Sequence, residues 1–94
     1  MMARLRIEGV TPTIVNLQEQ LEEIRAAEVA RAIRRMPGLT PEQQEQMVAL
    51  LEGTTRSIIN KIAHGPISEL RRNATEPEGE QAIEVIRKVF HLQR

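Results

Sequence analysis

The side chains in this sequence with some claim to chemistry are two histidines, an Asn-Lys pair and a few closely spaced glutamates. His64 follows Asn60 and Lys61 by about one helical turn, a grouping that invites a proton-transfer reading. It also directly precedes Gly65-Pro66, and a His in the last turn before Gly and Pro reads first as a cap on a helix end. His91 lies near the C-terminus and reads as solvated. Two histidines this far apart do not suggest a metal site. The pairs Glu22/Glu23 and Glu42/Glu45 have no apolar setting that would raise a carboxyl pKa, so acid–base catalysis is not indicated. The chain contains no cysteine, which excludes a disulfide framework, a thiolate zinc site and a thiol nucleophile. Neither G-x-G-x-x-G nor a Walker A loop occurs, so no cofactor site is expected in this chain. Arg71 and Arg72 with Lys61 could touch phosphate, yet no aromatic residues interleave them for base stacking. The chemistry alone supports a helical interaction domain.

The helical segments that would carry these residues are well punctuated. Val10-Thr11-Pro12 opens the first, with Thr11 as cap and Pro12 at the first helical position. The segment is predicted over about residues 12–36, where Pro37-Gly38 stops it. Ile14, Leu17, Leu21 and Ile24 recur at alternating three and four. Glu28 and Arg31 interrupt the pattern, which resumes on a rotated face with Val29, Ala32, Ile33 and Met36. Either one face is smeared by helical drift, or the two halves pack on different neighbours. Glutamates early in the helix and Arg31, Arg34 and Arg35 at its end complement the macrodipole.

Leu39-Thr40-Pro41-Glu42-Gln43 is a capping-box start for a second helix, predicted over about residues 41–64. Met47, Val48, Leu51, Ile58, Ile59 and Ile62 fall within about 120° of one another, with Glu52, Arg56 and Asn60 opposite. Gly53 lies outside that sector. There it either costs about 1 kcal/mol or permits close backbone approach. His64-Gly65-Pro66 is predicted to end or kink the helix, and Pro66 can begin a third helix to about residue 74. A loop over residues 75–79 precedes a last helix over about residues 80–92. That helix buries Ala82, Ile83, Ile86, Val89 and Phe90, and with Val85 its apolar arc covers roughly half the circumference. Arg4 to Val10 could be briefly extended, but no convincing strand alternation is present.

The chain has 94 residues, 13 basic and 13 acidic side chains and a single aromatic, Phe90. Length of this order means one small domain with a thin stability margin. Balanced charge and a pI near 6.7 lack the broad basic field of a general nucleic-acid binder. No apolar run approaches the roughly 18 residues of a membrane span, and the N-terminal residues lack a signal-peptide pattern. The expectation is a cytoplasmic domain with no membrane association and an aliphatic core, in part completed by a second subunit.

The run Thr55, Arg56, Ser57, Ile58, Ile59, Asn60, Lys61, Ile62, Ala63, His64, Gly65, Pro66 resembles a motif of the C-terminal dimerisation domain of glutamyl-tRNA reductase. The likeness extends over about residues 10–92. Pro12-Thr13-Ile14 followed by Leu17, Glu22, Ile24 and Arg25 is similar to the family's entry helix. Glu28 and Ala32 continue it, Leu39 with Pro41-Glu42 matches the linker, and residues 80–92 look like the closing helix. The resemblance implies a full enzyme that reduces glutamate carried on its transfer RNA to glutamate-1-semialdehyde with NADPH, in tetrapyrrole synthesis. It implies a V-shaped dimer whose catalytic and nucleotide-binding domains have no counterpart here.

The expected architecture is therefore an all-α, dimerising small helical bundle built on a long antiparallel helix hairpin. Residues 10–94 form the domain, and residues 1–9 are a linker or added in cloning. The expected partner is a second copy in a symmetric dimer, because an isologous contact covers each exposed stripe with its own copy. The candidate contacts are Ile14, Leu17, Leu21, Ile24, Ile58, Ile62, Ile86 and Phe90, which could equally fill the core of one chain. A different class of reading is an RNA-contacting or regulatory helical module.

Overall fold

Thr40 begins the longest element as its sequence requires. Its hydroxyl accepts from the Gln43 backbone N–H at 3.1 Å, and the Gln43 side chain accepts from the Thr40 N–H at 3.0 Å. In this computed structural model, which describes residues 7–92, three helices follow one another: α1 (Val10–Arg34), α2 (Pro41–Arg72) and α3 (Glu78–Val89). No strand is present among the described residues. The short connection after Arg34 folds α1 and α2 into a hairpin, and α3 lies across its open end. The molecule is a rod with principal extents of 62 × 27 × 16 Å.

The start of α1 differs from the sequence expectation. The helix begins at Val10, and its cap is Gly9 at φ +96°, a left-handed conformation that Gly adopts without penalty. Pro12 therefore occupies the third helical position. Its missing N–H still costs nothing there, because the first four N–H groups of a helix have no intrahelical acceptor.

The larger correction is at His64-Gly65-Pro66, which neither ends α2 nor starts a third helix. The 32-residue helix runs through Pro66 to Arg72, about 48 Å at 1.5 Å per residue. An interior proline costs about 3 kcal/mol. Two residues in the following turns offset it: Ile67 is 9% exposed and Leu70 1%, and full burial of such side chains contributes about 1.5–3 kcal/mol each. His64 is consequently an exposed side chain inside a helix rather than a cap. Gly53 has open space where a Cβ would stand, so it provides no close approach. The brief extended segment expected from Arg4 to Val10 falls largely outside the described residues. Within them, Ile7 N–H donates to the Ala74 carbonyl at 2.5 Å.

The core sits at the open end of the hairpin. Val10, Ile14 and Leu17 of α1 meet Ala63, Ile67 and Leu70 of α2 and Ile86 of α3. The stripe on α1 is one continuous packing face, completed by Arg25 at 5% exposure and Val29 at 7%. Arg25 thus takes the place on that face that the sequence pattern assigns to Ile24. Its aliphatic stem suits the position, while its Nε donates to Glu22 at 2.9 Å and its Nη2 pairs with the same carboxylate.

Candidate functional site

The packing inside one chain leaves apolar surface in a definite place. α2 turns Ala63, Ile67 and Leu70 toward its neighbours, so only part of the arc read from the sequence is used. Ile58 and Ile62 remain 52% and 51% exposed. Glu52, expected on the far side, is half-buried.

The helical geometry places the free residues relative to one another. Gln18 of α1 shares a polar groove with Asn60, His64, Ser68 and Arg71 of α2. Glu22 lies on the same side. Its carboxyl is held below its ordinary pKa by the Arg25 hydrogen bond, with smaller help from the charges of Arg25 and Arg56. That side of the hairpin is therefore mostly polar, although Val15, 42% exposed and seven residues before Glu22, also lies on it. Ile58 and Ile62 each stand two residues from Asn60, and Ile24 two from Glu22. Two residues turn a helix by about 200°, so all three isoleucines lie on the opposite side.

α3 occupies that same opposite side. Arg87 fastens it to α1, its Nε donating to Thr13 Oγ1 at 3.0 Å and its Nη2 to Asn16 Oδ1 at 3.0 Å. Gln20 Nε2 donates to the Phe90 carbonyl at 2.5 Å. Val85 and Val89 stand two residues either side of Arg87 and so face the other way, toward α2, where Val85 shares a depression with Glu69 and Asn73. They are 54% and 64% exposed. One side of the rod thus carries five half-exposed aliphatics from all three helices. Covering the exposed half of such a side chain contributes on the order of 1 kcal/mol, so the patch acts as a unit.

The eight sequence candidates divide. Ile14, Leu17 and Ile86 belong to the core of the chain. Leu21 and Phe90 are half-buried and pack against that core. Ile24, Ile58 and Ile62 are the exposed members. Val85 and Val89 were not among the candidates, although the wide apolar arc of the last helix is the signal that contains them. A second exposed patch adjoins the first on α2, where Leu50 borders a shallow depression of about 480 Å³ lined also by Ala49, Gly53, Thr54, Ser57, Lys61 and Ile58, so Ile58 stands at the edge of both. It holds two large exposed side chains, Leu50 and the shared Ile58, against five on the α3 side.

Among the described residues, no group of three or more His, Asp or Glu side chains is placed to hold a metal. No helix there is long and apolar enough to cross a membrane. A helix hairpin braced by a third helix, with one apolar side left open, defines a small helical interaction domain.

The comparisons make the class specific. The family described as "Glutamyl-tRNAGlu reductase, dimerisation domain" matches residues 1–92, and the chain belongs to that family. It is 56% identical over 93 residues to a glutamyl-tRNA reductase of Solibacter usitatus, covering 99% of this chain and 21% of that protein. It is 47% identical over 89 residues to glutamyl-tRNA reductase 2 of Koribacter versatilis, covering 95% and 20%. With the glutamyl-tRNA reductase of Chloroflexus aurantiacus the identity is 36% over 89 residues, again covering 95% and 20%. The chain thus spans about a fifth of the length of these curated relatives. No solved structure matches it.

Proposed function

We propose that this chain is the module that joins two subunits of a cytoplasmic glutamyl-tRNA reductase, with residues 10–94 as the dimerisation domain and residues 1–9 leading into it. The whole enzyme reduces the glutamyl group of glutamyl-tRNA to glutamate-1-semialdehyde with NADPH, for tetrapyrrole synthesis. The chain itself supplies neither the thiol nor the nucleotide loop for that reaction, and its part is to hold two catalytic units together. The observation that carries this reading is the open apolar side of Ile24, Ile58, Ile62, Val85 and Val89, in a chain of the dimerisation-domain family.

Native mass spectrometry of the chain tests it, with a two-subunit species expected and a persistent single-subunit species fatal to the reading. The polar side, with Arg56, Asn60, His64 and Arg71, supports a second reading in which the domain also touches transfer RNA. Its signature is binding of transfer RNA by this chain that weakens as salt rises.

A further inference from the structure

We infer that the second copy lies across the α3 side of the first turned end for end, so that the α3 of each copy rests on the bare half of the other's hairpin. The inference rests on the subunit-joining reading above and adds the surface and the alignment.

The open side is not flat. α3 is 12 residues long, about 18 Å at 1.5 Å per residue. It covers the end of the hairpin where Ala63, Ile67 and Leu70 are buried. The other half, toward Arg34 and Pro41, has no third helix. Each copy therefore presents one raised half and one recessed half along a rod 62 Å long. A two-fold contact presents the same patch from both partners. With both rods pointing the same way, raised would meet raised. Turned end for end, each raised half enters the other's recess, and Val85 and Val89 of each copy come to rest beside Leu51 and Ile58 of the other. Along such a rod, a strip only about 13 Å wide supplies the roughly 800 Å² per partner of a standard interface.

The charges on this side agree with the same alignment. Glu28 and Arg31 form an ion pair near the bare end, and Glu69 and Arg72 form one near the α3 end. Glu28 comes four residues after Ile24 and Glu69 seven after Ile62, so both continue the isoleucine strips of their helices. Inversion about the middle of the hairpin brings Glu69 of each copy to about the level of Arg31 of the other, whereas rods pointing the same way set like charges level.

Because the chain has no cysteine, single introduced cysteines report the alignment without background. The wild-type chain first shows by sedimentation whether it dimerises. A monomer would overturn the subunit-joining reading and this inference with it. Given a dimer, Ile24→Glu, which lies on the α3 side alone, weakens association by at least about thirtyfold, as loss of an interface anchor does, while retaining helical circular dichroism. Leu50→Glu on the other patch changes it less than about threefold. The reverse ranking overturns the choice of surface while leaving the dimer standing. Ile62→Glu repeats the test from α2, should Ile24→Glu lose its helical signal. For alignment, a short bis-maleimide joins Val85→Cys of one copy to Leu51→Cys of another when the two variants are mixed, and leaves each alone unlinked. Self-linking of Val85→Cys would overturn the inverted arrangement.

Discussion

Replacing Pro66 by alanine tests whether one helix runs from Pro41 to Arg72. Pro66 has no N–H, so the Ile62 carbonyl loses its acceptor role one turn earlier. Relative to alanine this costs about 3 kcal/mol in a helix interior. Two features lower the difference. Ile62 is 51% exposed, so water can reach its carbonyl, and the half-buried proline ring contributes packing that alanine lacks. The expected net gain for Pro66→Ala is about 1–3 kcal/mol, which raises the melting temperature of a domain this size by about 5–20 °C. Thermal unfolding followed by far-ultraviolet circular dichroism reads it, with both proteins at the same concentration because association also moves the midpoint. An unchanged or lowered midpoint would show that Pro66 does not sit inside a continuous helix. It would mean that residue 66 opens a separate helix, where proline is at home in the first position.

Other expectations follow from single contacts. Leu70→Ala, at a site 1% exposed, should cost about 3–5 kcal/mol in denaturant unfolding. Gly79→Ala should loosen α3, because a Cβ there runs into the Asn73 carbonyl oxygen; faster amide exchange confined to residues 78–90 is the readout. Thr40→Ala should cost about 0.5–2 kcal/mol by removing the capping box. Glu22 and Glu69 are held below the ordinary carboxyl pKa, chiefly by hydrogen bonds from Arg25 and from Arg72 with Asn73 respectively. A depressed folded pKa gives stability that is present above the unfolded value and lost as pH falls through the folded one. Melting temperature should therefore decline below about pH 4.5, and modestly, since both carboxylates are about half exposed.

Local signals in the sequence were legible where one residue acts on its own backbone. Thr40, Pro41 and Gln43 announce the start of α2, and Pro37-Gly38 marks the end of α1 to within two residues, the helix stopping at Arg34. The hairpin followed from the short turn between two long helices. Pro66 misled because a local breaker is judged locally, whereas Ile67 and Leu70 hold the helix through contacts with distant residues. Arg25 misled in the same way. Its charge argued for solvent, but its stem lies on the packing face and Glu22 holds the guanidinium. Periodicity gave the apolar arc of α2 without telling which part of it faces α1. That choice depends on how the hairpin rotates its helices, and it separates Ile58 and Ile62 from Ile67 and Leu70. The family, by contrast, was legible in the ordered residues 55–66.

Sedimentation equilibrium of the unmodified chain over a range of concentrations reaching tens of micromolar tests the central claim most directly. A mass approaching twice the 10.7 kDa of one chain is expected, with the helical content unchanged as the dimer forms. A mass that stays at that of one chain throughout would contradict it.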